Sequence, residues 1–469
     1  MTGSAPLTFV PPAGQAPRRR RVRRVATTTM GCKVNQFETE AIRQALRGED
    51  YELVPFDQDA DLYLVNTCTV TKEADRQARQ LIRRALRRNP EAFMVVAGCY
   101  AQRDPEAVAG IPGVDLVLGN GEKVDVHGLI PDLAAGQLPQ VMVGDPSEAS
   151  AVPEGLLARF ESRTRGFLQV QQGCDQHCTF CIIASVRGGS RSVPVRHVVR
   201  QVDRWAAVGM RELVITGVDV GGYGADLEAE PDLAGLLAAV AEREGDFRLR
   251  LSSLDPSHIS DELIELFRSE PRICPHLHLS LQHADAKVLK QMKRRYGPEL
   301  VRERIARLRE AAPELVLSAD VLVGFPTETE AAFERALALV DELEIAYPHV
   351  FPFSPRPETP GGRIPEPKQV PPAERKARAA RMRELGESVR DRVLARTVGA
   401  PQRVLVEGAD AGHPGWVRGR AANYLPVRLP QGLAQPGELV TVTPERAEDA
   451  LLVAGTAAAG HWPNRPAMG

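Results

Sequence analysis

The 469-residue chain predicts a multidomain α/β protein, and three observations carry that expectation. Apolar, strand-like runs ending at a cysteine recur near the N-terminus, spaced about as a βαβ unit requires. About six strand-then-helix units follow a stretch rich in Pro, Gly and Ala. Short β-type runs divided by Gly and Pro then close the chain. The expected fold is an N-terminal open parallel α/β sheet domain, a central incomplete (βα)6 barrel and a C-terminal small β-barrel. The expected boundaries are a disordered basic extension over 1–24, the first domain over 25–135 and a linker over 136–160. The barrel with a basic helix then covers 161–395, and the small barrel 396–460. A chain of this length exceeds one compact core, since domains run to about 100–200 residues.

Composition narrows the class of protein. The hydrophobic fraction is an ordinary 43%. No run of about 18 apolar residues offers a membrane span, so no membrane partner is expected. The start, "MTGSAPLTFVPPAGQAPRRRRVRR", lacks the apolar core of a secretory signal, and its arginines read as a basic extension rather than a transit peptide. Seven cysteines, an odd number without an export signal, argue for metal or redox chemistry in a reducing cytoplasm. The net charge of −2 excludes a polycation, so nucleic-acid contact must use local patches. Arg18 to Arg24 form one such patch. Arg76, Arg79, Arg83 and Arg87, at helical spacing, form a second or simply a solvated helix face.

In chain order, "RVATTTMGC", "DLYLVNTC" and "FMVVAGC" end at Cys32, Cys68 and Cys99. Parallel neighbouring strands would place all three just beyond their carboxyl ends, where open α/β sheets gather ligands. One such cysteine would be an inert small hydrophobe; three in equivalent positions predict a shared metal site. "PDLAAGQLPQ" and "DPSEASAVPEG" form the linker. The barrel strands are "GFLQVQQGC", "ELVITGVDVGG", "FRLRLSSLDP", "HLHLSLQH", "LVLSADVLVGFPTE" and "YPHVFPFSP". The break "SPRPETPGGRIPEPKQVPP" precedes a basic helix, and "PQRVLVEG", "NYLPVRLP" and "GELVTVTP" supply the last β-type runs.

The densest chemistry is "GCDQHCTFC", with Cys174, Cys178 and Cys181 spaced C-x3-C-x2-C. Structural zinc takes four ligands, usually as paired motifs, and no fourth partner is evident. His177 inside the loop fits a solvent-facing or supporting place better than a ligand. A 4Fe-4S cluster held by three thiolates keeps one iron open for substrate or cofactor. Its position after the first barrel strand would aim it into the barrel mouth.

These words are similar to those of the radical S-adenosylmethionine superfamily. In order, "MGCKVNQFETE", "NTCTVT", "AGCYAQR", "QGCDQHCTFCIIASVRG", "ITGVDVGGYG", "LSSLDP", "HLHLSLQ", "DVLVGFPTET" and "HVFPFSPRPETP" resemble the methylthiotransferases, and among them the threonylcarbamoyladenosine tRNA branch. The resemblance runs from about residue 25 to the end. It includes a tail resembling the RNA-binding TRAM domain.

The resemblance implies two 4Fe-4S clusters and S-adenosylmethionine as cofactors, tRNA as substrate, and a methylthio group inserted at carbon 2 of the modified adenosine. Cys32, Cys68 and Cys99 would hold an auxiliary cluster whose open iron carries the sulfur. Cys174, Cys178 and Cys181 would hold the radical-generating cluster. Phe180 would border the adenine of S-adenosylmethionine, Thr216, Gly217 and Val218 its methionine moiety, and Val323 and Gly324 its adenosine. Where the family commonly has a small polar "QSGS"-like run, this chain has "LQHADAK". Gln282 is retained as a pocket residue, and His283 is a proton carrier or a support. Cys274, at a strand start, reads as packing. Asn423, Tyr424 and Arg428 are candidates for RNA contact, with Tyr424 alternatively in the core. Two other readings stay open: the sister branch acting on isopentenyladenosine, and a non-catalytic iron-sulfur RNA-binding protein.

Overall fold

The computed structural model describes residues 21–49, 51–148, 157–160, 163–228 and 231–455. Most of the expected basic extension, part of the expected linker and the last residues assigned to the small barrel lie outside these. The chain divides into two compact units, residues 1–157 with 182–189, and residues 158–181 with 190–469. Among the described residues no helix is long and apolar enough to cross a membrane.

In the first unit, six parallel strands form one sheet: β1 (Arg24–Thr29), β2 (Glu52–Val54), β3 (Leu62–Thr67), β4 (Phe93–Gly98), β5 (Leu116–Leu118) and β6 (Val141–Met142). Their order is β2-β1-β3-β4-β5-β6. β3 and β4 are buried along their whole length, so they read as continuous apolar runs rather than alternating ones. Helices α1 (Lys33–Gly48) and α5 (Val126–Ala135) cover one face through Ile42, Leu46, Ile130 and Leu133. Helix α2 (Lys72–Arg88) packs Ala78, Ile82 and Ala85 on the other. Thr71 caps α2 by accepting from the Ala74 amide, and acids in its first turn and arginines in its last suit the helix dipole. Three short helices complete the unit: α3 (Cys99–Arg103), α4 (Pro105–Ala109) and α6 (Ile183–Arg187). The stretch expected to be linker supplies β6, because Val141 and Met142 find open pairing positions beside Val117 and Leu118.

The second unit contains parallel strands β7 (Arg165–Gln169), β10 (Glu212–Thr216), β11 (Arg248–Leu251), β12 (Ser253–Leu254), β13 (His276–Gln282), β14 (Val316–Val323) and β15 (Ile345–Pro352). They form sheets ordered β11-β10-β7 and β12-β13-β14-β15, interrupted at Ser252 between β11 and β12. A short antiparallel pair, β8 (Gln171–Gln172) and β9 (Arg191–Ser192), follows β7. Helices α7 (Val195–Ala207), α8 (Leu233–Ala241), α9 (Asp261–Ser269), α10 (Ala286–Gln291), α11 (Pro298–Ala311) and α12 (Glu330–Glu342) alternate with the strands. Asp232, Ser260, Asp285 and Thr329 cap four of them, as their place before each apolar run requires.

Helix α13 (Pro372–Thr397) leads to the last sheet. That sheet contains β16 (Gln402–Ala409), β17 (Trp416–Ala421), β18 (Pro426–Pro430), β19 (Leu439–Val442), β20 (Arg446–Glu448) and β21 (Leu451–Val453). Val389, Val393 and Leu394 of α13 share a core with Val404, Val406, Leu425 and Val427 of this sheet. Polar anchors tie it to the parallel strands. The fully buried Glu212 binds Arg248 Nε at 2.7 Å and Arg250 Nε at 2.8 Å. Those guanidiniums donate onward to the carbonyls of Arg403, Arg420, Ala421 and Ala422.

Burial pushes the Glu212 carboxyl up, but Arg250 and Arg248 outweigh it and hold the group well below the usual carboxylate range. Its contribution is therefore complete above its ordinary value of 4.5 and is lost only as pH falls through the depressed one. Glu212→Ala leaves two buried guanidiniums facing each other, an expected loss of about 3 kcal/mol or more. A lowered urea midpoint for the second unit's transition measures it.

Candidate active site

Cys32, Cys68 and Cys99 stand just beyond the carboxyl ends of β1, β3 and β4, which are adjacent and parallel. The strand order reverses between β1 and β3, the switch point at which such sheets leave a crevice. Backbone sterics close this corner. Gly31 and Gly98 have φ of +87° and +94°, and a Cβ on Gly31 would lie 2.7 Å from that of Cys68. Glycine before cysteine therefore lets the strand ends turn toward one another. Cys68 and Cys99 are buried, Cys32 is exposed, and none is in a disulfide. Burial, with Cys99 and Cys32 nearby, pushes the Cys68 thiol up to about 12.

Beneath this trio lies a polar floor; Asn35, Glu38 and Arg187 stand within "MGCKVNQFETE" and "QGCDQHCTFCIIASVRG", words that by themselves gave them no role. Asn35 donates to the carbonyls of Met30 (2.8 Å) and Thr67 (2.9 Å), holding the two residues that lead into Gly31–Cys32 and Cys68. Arg187 Nη2 donates to Asn35 Oδ1 at 2.5 Å, and both its terminal nitrogens bind Glu38 at 2.9 and 3.1 Å. Lys123 Nζ reaches Glu38 at 2.7 Å and Asn120 Oδ1 at 2.8 Å. Burial would raise the Glu38 carboxyl, but Arg187 and Lys123 bring it down to about 2.

The second trio occupies the loop after β8. Cys178 is buried and Cys174 and Cys181 are half-buried. Arg294 Nη1 lies 3.3 Å from Cys178 Sγ and is itself held by Asp255 (2.6 Å) and the Ser280 carbonyl (3.0 Å). Burial and the Asp219 carboxylate push the Cys174 thiol up to about 12; its Sγ lies 3.8 Å from Asp219. His177 is exposed.

The predicted strand-end residues fall around this loop within the same unit. Thr216 ends β10, and Gln171 Oε1 accepts from the amides of Val218 (3.0 Å) and Asp219 (2.8 Å), clamping the turn that follows. A Cβ on Gly217 would lie 2.9 Å from Gln171 Oε1. Gln282 ends β13 with φ +58°. Val323 ends β14, and the Gly324 amide donates to Glu328. Phe180 packs on a core of Val288, Met292, Leu322, Phe325 and Phe353. His283 accepts from the Asp285 amide at 3.0 Å, so its Nε2 proton faces Glu328 at 3.1 Å, both side chains being fully buried. That arrangement is a support, as is the buried packing of Cys274. Mid-strand, His278, Asp320 and His349 bring their ligand-type atoms within 4.8 Å of one another. The alternation in "HLHLS" and "LSAD" was the only sequence signal for that cluster.

Residues 24–119 match uncharacterized protein family UPF0004, and residues 168–340 match the radical SAM superfamily. Threonylcarbamoyladenosine tRNA methylthiotransferase MtaB of Rickettsia prowazekii is 40% identical, covering 87% of this chain and 91% of that protein. Its Bacillus subtilis counterpart is 41% identical, covering 72% and 75%. The chain belongs to the radical S-adenosylmethionine methylthiotransferase family. Within the family, four proteins with the threonylcarbamoyladenosine name are 36–41% identical. A ribosomal protein uS12 methylthiotransferase and two dimethylallyladenosine synthases are 32–35% identical. Among solved structures, the methyltransferase TsrM of Kitasatospora setae shares the fold at 16% identity and TM-score 0.55, covering 73% of this chain and 77% of that one.

For a methylthiotransferase, the basic groups expected to meet RNA require a correction. Arg428 is buried and bound to Asp410 at 2.8 Å, with Glu448 and Asp449 nearby. Tyr424 stacks on His276 at 4.3 Å and lies beneath Arg420 and Arg250, and Asn423 is buried. Tyr424 thus sits at the seam between the last sheet and the parallel strands, whereas Arg428 is bound within the last sheet. Helix α13 likewise directs Arg381, Arg392 and Arg396 at carboxylates of Glu330, Glu334, Asp341 and Glu344. On α2, Arg76 pairs with Glu73 and Arg79 with the Tyr100 hydroxyl. Arg83, Arg84 and Arg87 instead line an open cavity of about 820 Å³ with Thr29, Met30 and Gly31, beside Cys32.

The thiols can be tested in metal-free protein. At pH 8 the exposed Cys32 is expected to alkylate with iodoacetamide at least about tenfold faster than Cys68, whose burial keeps it protonated. Peptide mass mapping over a time course reads the difference.

Proposed function

We propose that this chain inserts a methylthio group at carbon 2 of N6-threonylcarbamoyladenosine, next to the anticodon of tRNA. The observation that carries the reading is the 36–41% identity to four relatives of that name. A tRNA substrate implies work in the cytoplasm. Residues 25–135 are read as the methylthiotransferase domain and 161–395 as the incomplete radical SAM barrel with its helix. The lack of pairing between β7 and β15 among the described residues supports that barrel. The six-stranded C-terminal sheet supports a TRAM-like RNA-binding domain.

Sulfur-only donor sets of three fit 4Fe-4S clusters that each keep one open iron. Cys32, Cys68 and Cys99 would hold one, and Cys174, Cys178 and Cys181 the other. When bound, the clusters and S-adenosylmethionine supply the electron, carbon radical and methylthio group that an unactivated C–H bond requires and that no side-chain acid or base offers. The chain's own residues bind and orient. Gln171 holds the 216–219 turn against which a methionine moiety would lie. The buried Thr216 hydroxyl has no protein partner among the described residues, which leaves it for that ligand. Phe180, Val323 and Gly324 offer apolar walls and backbone to an adenosine, and Gln282 a polar contact. Arg294 keeps a positive charge beside the Cys178 sulfur. Arg83, Arg84 and Arg87 can take backbone phosphates without reading sequence.

Nucleoside mass analysis of tRNA from cells lacking this protein tests the reading. Loss of methylthio-threonylcarbamoyladenosine, with its unmethylthiolated precursor accumulating, is expected. Persistence of the product with no second enzyme to make it sinks the assignment, and loss of methylthio-isopentenyladenosine instead selects the sister branch. A second expectation concerns Arg83→Glu, Arg84→Glu and Arg87→Glu combined. tRNA affinity should fall at least about tenfold, with a salt dependence about three units shallower, in filter binding.

A further inference from the structure

The floor beneath Cys32, Cys68 and Cys99 brings two buried cations to one carboxylate. Lys123 and Arg187 have side-chain exposures of 0% and 1%, and both grip the same carboxylate, Glu38. Burial pulls the Lys123 ammonium below its ordinary value, and the Glu38 carboxylate works against that. Burying an ion costs several kcal/mol, so a site holds two buried cations at a stability cost unless anions face them.

The geometry directs both cations at the sulfurs. Cys99 packs against Ile182, Ile183 and Val186, the turn of α6 that ends in Arg187. Asn120 donates to the Val186 carbonyl at 2.7 Å, lies 3.9 Å from Cys99 Sγ, and accepts from Lys123. On the other side, the Asn35 that accepts from Arg187 braces the backbone leading into Cys32 and Cys68. After the opposing effect of burial, charge at Cys99 acts most strongly on Arg187, and Cys32 contributes as well.

We infer that Arg187 and Lys123 supply the countercharge of this site, stabilising added negative charge there, whether the electron that reduces its cluster or an anionic sulfur ligand at the open position. The inference rests on the reading that this trio holds a 4Fe-4S cluster. Such a core, two positive charges set against three thiolates, is a net anion, and cluster potentials respond to nearby charge. A field from buried groups is weakly screened, so it acts more strongly than the same charges at the surface.

The test uses full-length protein carrying Cys174→Ala, Cys178→Ala and Cys181→Ala, reconstituted with iron and sulfide so that only the Cys32–Cys68–Cys99 site is loaded. An EPR-monitored redox titration then compares charge variants. Lys123→Met and Arg187→Met are each expected to disfavour reduction about tenfold, about 59 mV for a one-electron couple. Arg187→Lys should stay near the parent, and Glu38→Gln, which removes a negative charge, should move the potential the opposite way. A merely structural clamp predicts no such reversal of sign. Potentials that ignore charge, or that move together in Lys123→Met and Glu38→Gln, overturn the inference. If Arg187→Met assembles no cluster, the opposite signs of Lys123→Met and Glu38→Gln still decide it. A parent that assembles no cluster overturns the reading and the inference together, whereas an intact cluster with a charge-blind potential overturns the inference alone.

Discussion

Parallel strand pairing is the constraint on which the rest of this protein depends. Parallel strands all release their chains at one edge, so residues at equivalent positions in successive repeats arrive at one place without any long-range design. In the first unit this brings together Cys32, Cys68 and Cys99 from strands β1, β3 and β4. In the second unit it gathers the segments after β7, β10, β13 and β14 around the Cys174–Cys181 loop. Antiparallel pairing would have sent alternate segments to opposite edges.

Convergence alone would not make a site, because thiols in a dry corner resist ionisation. Burial pushes Cys68 and Cys174 up to about 12, so both sites need fixed positive charge or a bound metal to favour thiolates. Each has such a charge. Arg294 stands at Cys178, anchored by Asp255, and Arg187 with Lys123 stands beneath the first trio. The same device serves architecture elsewhere. Glu212 with Arg248 and Arg250 fastens the C-terminal sheet through backbone carbonyls rather than through a ligand. Buried arginine thus has two uses in one chain, told apart by what its spare donors reach.

Much of this was legible without coordinates because the relevant signals are local. Strand runs ending in Gly-Cys or Thr-Cys, and the C-x3-C-x2-C loop, are contiguous words whose spacing carries their chemistry. The basic residues were less legible. An arginine at helical spacing reads alike whether it faces solvent, a carboxylate or a phosphate. Arg428 and the arginines of α13 proved to be bound within the protein, whereas Arg83, Arg84 and Arg87 line a cavity beside Cys32. The difference lies in partners distant in sequence, such as Asp410 for Arg428 and Asp341 for Arg392.

By itself the sequence determined the two cysteine trios and the element types, since cysteine spacing, glycine before cysteine and apolar periodicity are properties of short segments. Only tertiary structure decided what surrounds those cysteines. Glu38, Lys123 and Arg187 lie far apart in the chain and share no word, yet folding places them in one buried network, Glu38 from the helix after β1, Lys123 from the segment after β5 and Arg187 from the end of α6. Electrostatic partnership falls off with distance in space and not along the chain, and for that reason the countercharge of the first trio had to be seen folded.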